Sequence, residues 1–265
     1  MSPAAFLLDL DGTLYTAAGP IPGAVDALTR LQRRGIPFRL ITNTTSRPRR
    51  AIIARLREYG FAVEDRHLLT PSRVAGRVLD RARASVVAPF VPADTLGDLT
   101  GSFSLQGGVA RGASVTPDAV LVGDLGAGWT PALVNEAFRY LMDGAALVAL
   151  QKGRYWLAAD GLRVDAGAWV AALEYASGCS ARVCGKPEPA FFEAALASLE
   201  PELGTVDRSR IVMVGDDCWN DVAGGQRAGL QGWLVRTGKF REKARARADV
   251  TPERIVTSVV EALDG

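Results

Sequence analysis

Twice in this chain a short apolar run gives way to an amphipathic helix and then to another apolar run, and roughly a hundred residues, a domain-sized length, separate the two stretches. That alternation specifies a parallel α/β sheet with crossover helices. The first stretch reads as strand "AAFLLDL", helix "PGAVDALTRLQRRG" with Pro22 near its start and Gly35 beyond its end, and strand "IPFRLITN". Helix "SRPRRAIIARLREYG" follows, with Ser46 as its expected cap and Gly60 as its stop. The second stretch reads as strand "ARVCG", helix "PEPAFFEAALASL", strand "RIVMVGD", helix "CWNDVAGGQRAG", strand "QGWLVRTG" and a final helix near "PERIVTSVVEALDG". Gly224 and Gly225 oppose a regular helix after Gly215.

The intervening residues have their own α/β rhythm: strands "SVVAPFV" and "DAVLVGD", helix "TPALVNEAFRYLMDG", strand "ALVAL", a hairpin "RYWLAADGLRV" and helix "AGAWVAALEYASG". The expected architecture is a Rossmann-like parallel-sheet core, residues 1–75 and 181–265, with a second α/β unit inserted at 76–180.

Composition removes several function classes. The apolar run Ala4 to Leu8 is too short for a signal peptide or a membrane span, so the expectation is a cytoplasmic protein with no membrane partner. A net charge of +2 gives no reason to expect nucleic-acid binding, and "RPRR" and "KFREKARARAD" read as solvated faces. Cys179, Cys184 and Cys218 read as reduced thiols, because a single histidine, His67, cannot complete the usual zinc pattern with them. His67 has no nucleophile motif beside it and reads as a surface residue. Of 31 basic residues only Lys152, Lys186, Lys239 and Lys243 are lysine, which draws attention to places where a compact point charge is wanted.

Ligands of an open parallel sheet bind beyond the carboxyl ends of its strands, so the polar residues that end those strands decide the chemistry. Asp9 and Asp11 end the first strand, Thr42 and Asn43 the second, Lys186 follows "ARVCG", and Asp216, Asp217 and Asp221 follow "RIVMVG". Each alone has a mundane explanation as a turn, a cap or a loop. Two like charges 4 Å apart cost about 4 kcal/mol at an effective dielectric near 20, so acids gathered in one crevice require a cation. Oxygen ligands without cysteine or histidine favour a hard ion such as Mg²⁺, commonly shared with a substrate phosphate. A carboxylate nucleophile, a lysine and a Thr/Asn pair then complete a phosphoryl-transfer site. "VLVGDLGAG" also places an acid, Asp124, after a strand, but without a second acid, lysine or threonine, and it lacks the dinucleotide-binding glycine spacing.

With these motifs, "DLDGT" at Asp9 to Thr13, "ITN" at Ile41 to Asn43, "GKPEP" at Gly185 to Pro189 and "VGDDCWNDVAGG" at Val214 to Gly225, the sequence resembles the haloacid-dehalogenase-like (HAD) hydrolase superfamily. "IPGAVDAL" and the large insert look like subfamily IIA, the NagD-like phosphatases with a type C2 cap. "GRYW", "ALEYASG" and "VRTGKFR" look closest to the branch of the phospholysine phosphohistidine inorganic pyrophosphate phosphatases.

The resemblance implies that Asp9 is a nucleophile forming an aspartyl-phosphate and also a Mg²⁺ ligand. Asp11 would be the general acid and then base, with its backbone carbonyl on the metal, and Asp216 would complete the protein ligands. Thr42 and the Asn43 backbone would hold phosphoryl oxygens, Lys186 would neutralise charge, and Asp217 and Asp221 would orient metal-bound water. This chain carries Thr44 where many relatives carry a second asparagine. The implied activity is Mg²⁺-dependent hydrolysis of a small phosphorylated metabolite. The alternatives are a pyrophosphatase or P–N phosphatase, a receiver-like phosphorylation switch, and a binding protein with an inactive site. A cap-mediated homodimer is compatible with the resemblance, and "QKGRYW" leaves Lys152, Arg154, Tyr155 and Trp156 between a role in leaving-group selection and a place in a buried hairpin.

Overall fold

The computed structural model describes residues 2–110, 112, 115–158, 160–205, 207–242 and 250–265. Lys243 and the arginine-rich run that follows it, up to residue 249, lie outside the described residues. Along the chain come strands β1 (Ala5–Leu8), β2 (Tyr15–Thr16), β3 (Gly19–Pro20), β4 (Phe38–Ile41) and β5 (Leu68–Leu69). Then follow β6 (Val86–Phe90), β7 (Ser104–Leu105), β8 (Ala119–Val122), β9 (Ala146–Ala149), β10 (Tyr155–Ala158), β11 (Gly161–Val164) and β12 (Arg182–Val183). The last three are β13 (Ile211–Gly215), β14 (Gln231–Val235) and β15 (Arg254–Val256).

Six of these form a wholly parallel sheet in the order β15-β14-β13-β1-β4-β5. All four residues of β1 are buried, as a parallel strand covered on both faces requires. Phe6 and Leu8 enter one core with helix α1 (Ala24–Arg33), helix α2 (Arg49–Glu58) and the C-terminal helix Val259–Asp264. Ala5 and Leu7, one residue out of phase, enter another with helices α3 (Pro71–Arg81) and α6 (Pro189–Leu203).

A second parallel sheet has the order β12-β9-β8-β6-β7. One face packs on helices α4 (Pro131–Met142) and α5 (Ala166–Ser177). The other contributes Val87, Leu121 and Val148 to the same core as Leu7, so one apolar layer joins the two sheets. The "ARVCG" strand forms, but β12 pairs with β9 of this second sheet and not with the first.

Local chemistry explains where the elements depart from the sequence expectation. Helix α2 begins after Pro48, not Ser46: Pro48 stands in extended backbone at the boundary, where its missing N–H costs no hydrogen bond. "RIV" is the edge strand β15, paired in parallel with β14, and the last helix starts only after Ser258, whose hydroxyl accepts from the Val260 N–H. After Gly215 the chain makes a wide helical turn over Cys218–Ala223 and then a tighter one over Gly224–Arg227. A Cβ at Gly224 would lie 2.6 Å from the Phe192 ring and one at Gly225 2.8 Å from Met213, so the glycines that weaken the helix let it lie flat on its neighbours. His67 is buried, not on the surface: its ring stacks on Phe38 at 4.7 Å and its Nδ1 accepts from the Glu64 N–H at 3.0 Å. The hairpin β10–β11 forms as expected but is not buried, with Tyr155, Trp156, Leu162 and Val164 exposed.

Candidate active site

The strand order of the first sheet reverses at β1: β4 and β5 extend it one way, and β13, β14 and β15 the other. At such a switch point the loops leaving adjacent strands diverge and open a crevice. Asp9 follows β1, Thr42 follows β4 and Asp216 follows β13, so all three arrive at the same rim.

Lys186 reaches that rim from a different direction, along the segment that leaves β12. It is 2% exposed, and its Nζ donates to Asp9 Oδ1 at 2.6 Å, Asp221 Oδ1 at 2.7 Å and the Ile41 carbonyl at 3.3 Å. Burial works against the ammonium form, but the neighbouring Asp221 and Asp9 carboxylates outweigh it and raise the lysine above its ordinary range.

Asp9, Asp216 and Asp221 are all buried, and each offers an oxygen within 4.8 Å of the others. Burial first, then the Asp9 charge, lifts Asp216 well above the ordinary carboxylate range. Asp221 is pushed up to about 7 by burial, against the pull of Lys186. One buried lysine therefore does not balance the cluster. The all-oxygen donor set fits a hard divalent cation. Asp221 has its oxygens on Lys186 and on the Asp217 N–H, which leaves Asp9 and Asp216 as the more available carboxylates.

Asp11 stands at the mouth of this cluster. It keeps an open face to solvent, yet protein atoms crowd it enough that desolvation, followed by the Asp9 charge, raises its carboxyl above the usual range. Its Oδ2 accepts from the Thr44 hydroxyl at 2.9 Å and the Tyr15 hydroxyl at 3.4 Å. Thr42, buried beneath, donates to Thr44 Oγ1 at 3.0 Å and accepts from the Thr44 N–H at 3.0 Å. Asn43 turns its side chain to Lys186.

Asp216 sits in a cradle where a side chain would not fit. A Cβ on Gly12 would fall 2.0 Å from its Oδ2 and one on Gly238 2.1 Å, and both glycines have positive φ, +88° and +61°. The Lys239 N–H donates to Asp216 Oδ2 at 2.6 Å, and Lys239 Nζ lies 3.1 Å from Asp217 Oδ2. Asp217 also caps the turn that follows, accepting from the N–H groups of Trp219 and Asn220. Burial opposes the Asp217 carboxylate, but Lys239 and these amides prevail and hold it below its ordinary value.

The structure thus brings Asp9, Asp11, Thr42, Asn43, Lys186, Asp216, Asp217 and Asp221 to one crevice. Lys239 and Tyr15 join them without having been singled out as site residues. The scarcity of lysine, together with "TGK" at the end of a strand, was the available signal for Lys239. Nothing in the sequence marks Tyr15, whose place depends on the tight return of the chain from Leu10 to Tyr15. Asp124 donates its N–H to Thr45 Oγ1 and accepts from the Gly126 N–H, a loop-shaping role. Lys152 is paired with Glu174 at 2.6 Å, and Arg154, Tyr155 and Trp156 are exposed on or beside the hairpin.

Comparison with known proteins agrees with this geometry. Residues 6–94 match the family described as haloacid dehalogenase-like hydrolase, and residues 183–262 one described as HAD-hydrolase-like. The haloacid dehalogenase-like hydrolase domain-containing protein 2 of Homo sapiens is 36% identical over 264 residues, covering 98% of this chain and 94% of that protein. The phospholysine phosphohistidine inorganic pyrophosphate phosphatase of Homo sapiens is 33% identical over 264 residues, covering 97% of this chain and 92% of that protein. NagD from Escherichia coli K-12 superposes with a TM-score of 0.83 at 25% identity over 98% of each chain. Matched along nearly its whole length, and with the acids, the lysine and the threonine of its motifs gathered at one switch point, the chain belongs to the haloacid dehalogenase-like hydrolases, in their NagD-like branch.

Proposed function

We propose that this protein is a Mg²⁺-dependent phosphatase that moves the phosphoryl group of a small phosphorylated metabolite first to Asp9 and then to water. The observation that carries this reading is Lys186 held between Asp9 and Asp221 in a buried cluster with more carboxyl than ammonium groups. Such a cluster accommodates a cation and a phosphoryl group together.

In this reading an Asp9 oxygen attacks phosphorus as the bond to the leaving oxygen breaks, giving an aspartyl-phosphate. Asp11 gives its proton to the departing oxygen and later takes one from the water that hydrolyses the acyl phosphate. The Asn43 N–H and the Thr42 hydroxyl, whose O–H rests on Thr44 before substrate arrives, would hold the transferring group, and Lys186 offsets its charge. Asp9, Asp216 and the Asp11 carbonyl would hold Mg²⁺, with Asp221 and Asp217 ordering its surroundings; when bound, the ion withdraws charge from the phosphoryl oxygens. Residues 1–75 and 181–265 supply all of these groups, and 76–180 form a cap that limits the size of the leaving group and excludes water.

The test is hydrolysis of 4-nitrophenyl phosphate with Mg²⁺ by the wild type and by Asp9→Asn. The expected loss is at least about a thousandfold, roughly 4 kcal/mol of barrier. Full activity in Asp9→Asn would overturn the reading.

A second reading, hydrolysis of pyrophosphate or of P–N bonds, draws support from the near full-length match to a phospholysine phosphohistidine inorganic pyrophosphate phosphatase. Pyrophosphate and phosphoramidate assayed beside sugar and nucleotide monophosphates separate the two by their kcat/KM order.

A further inference from the structure

We infer that Thr44 and Tyr15 are positioning residues for proton transfer, pinning one oxygen of Asp11 so that the other carries the proton to the leaving group. The inference rests on the phosphatase reading above and adds to it two residues and an assignment of oxygens.

Three hydroxyls form the device, and their directions follow from geometry. Thr42 Oγ1 accepts from the Thr44 N–H, which turns its own O–H towards Thr44 Oγ1 at 3.0 Å. Thr44 Oγ1, already an acceptor, sends its O–H to Asp11 Oδ2 at 2.9 Å. Tyr15 adds a second donor to the same atom at 3.4 Å. An oxygen that accepts two hydroxyl protons is a poor place for a third. Among the described residues no side chain donates to Oδ1. The acid proton therefore belongs on Oδ1.

The surroundings keep the pair of donors in place. Tyr15 is 4% exposed, its ring lies against Tyr59 at 5.6 Å, and the Arg55 guanidinium stands over it at 5.0 Å. Its backbone carbonyl accepts from the Gly12 N–H at 2.7 Å, so the residue that fixes Asp11 from the side belongs to the same tight turn as Asp11. Thr44 follows β4, the neighbouring strand, so the proton donor is braced from two elements at once.

The step this serves is balanced as follows. The electron pair of an Asp9 oxygen forms the new O–P bond, the P–O bond to the leaving group breaks, and the Asp11 Oδ1 proton goes to the departing alkoxide, leaving Asp11 as carboxylate. An alkoxide needs that proton to leave, whereas 4-nitrophenolate leaves without it. Misplacing Oδ1 must therefore cost alkyl phosphates far more than the nitrophenyl ester.

The experiment measures kcat/KM, which reports the steps up to departure of the leaving group, for 2-glycerophosphate, phenyl phosphate and 4-nitrophenyl phosphate with Mg²⁺. Wild type, Thr44→Val, Thr44→Ser, Tyr15→Phe, Asp11→Asn and Asp9→Asn are compared. General acid catalysis contributes about 10²- to 10⁴-fold, and losing its positioning forfeits part of that. The 2-glycerophosphate to 4-nitrophenyl phosphate ratio is expected to fall about tenfold or more in Thr44→Val, less in Tyr15→Phe, most in Asp11→Asn, and to recover in Thr44→Ser. An equal loss on all three esters in Thr44→Val, or no loss, overturns the inference while leaving the phosphatase reading intact. Full activity in Asp9→Asn overturns the phosphatase reading and this inference with it.

Discussion

The Asn43 side chain closes a two-bond ring on the backbone of Lys186: its Nδ2 donates to the Lys186 carbonyl at 2.8 Å, and its Oδ1 accepts from the Lys186 N–H at 2.8 Å. The loop after β4 is thereby fastened to the segment that returns from the second sheet, and the ammonium group is aimed at Asp9. A side chain at Gly185 would meet Asn43 Oδ1 at 2.6 Å, so the ring also depends on a glycine there.

Asn43→Asp keeps the acceptor and turns the donor into a second acceptor facing a carbonyl. The expected cost is about 1–3 kcal/mol of stability, more than for Asn43→Ala, read as a shift of the urea midpoint at constant slope. kcat/KM on 4-nitrophenyl phosphate should fall in parallel, because Lys186 is misdirected.

Gly12→Ala places a methyl group 2.0 Å from Asp216 Oδ2 in a backbone conformation, φ +88°, that alanine resists. Strain and displacement together should cost about 1–3 kcal/mol in unfolding free energy and most of the activity. An alanine as stable and as active as the wild type would show that the Gly12–Asp216 approach is unimportant.

Mg²⁺ should stabilise the fold as well as activate it. At a concentration 100 times the dissociation constant, the expected gain is about 2.7 kcal/mol, seen as a rise in Tm. Burial raises Asp216, and Asp221 stands near 7, so binding displaces protons, and the rise in Tm should be larger at pH 8 than at pH 6. Asp216→Asn should abolish it, and chelation should remove activity reversibly.

The single histidine gives a pH signature of its own. Burial, followed by the Arg66 charge, holds His67 below its ordinary 6.5, so the native protein binds fewer protons here than the unfolded chain. Its contribution is full above pH 6.5 and is lost as the pH falls below that towards the native value. The raised carboxylates Asp11, Asp216 and Asp221 have the opposite slope, so the quantity to measure is the difference between wild type and His67→Asn. Asparagine retains an acceptor for the Glu64 N–H, and its stability relative to wild type should improve from pH 7.5 to pH 5.5.

Much of the architecture was legible because parallel strands and crossover helices impose strong local patterns. "AAFLLDL" and "RIVMVGD" are strands buried on both faces, and "DAVLVGD" and "ALVAL" announce the second sheet in the same way. Misreadings fell where a weak local signal meets a tertiary choice. "RIV" before the last helix is too short to distinguish an edge strand from a first helical turn until β14 is there to pair with it. His67 looks polar in sequence and is buried because Phe38 and the Glu64 N–H provide for its ring and its nitrogen.

The sequence by itself determined which chemical groups end the strands: two acids after β1, a Thr-Asn pair after β4, a lysine before "PEP" and three acids after β13. Those positions are fixed by local pattern, since a strand must stop before its polar end. The tertiary structure alone decided how the groups divide among themselves. Lys186 and Asn43 are 143 positions apart, and Asp216 meets Gly12 across two strands. Thr44 joins Tyr15 on one oxygen of Asp11 because β1 and β4 pair and bring a residue 33 positions away to the turn. Hydrogen-bond partners at such separations depend on register and on the closeness of backbones, and no local pattern in the chain carries that information.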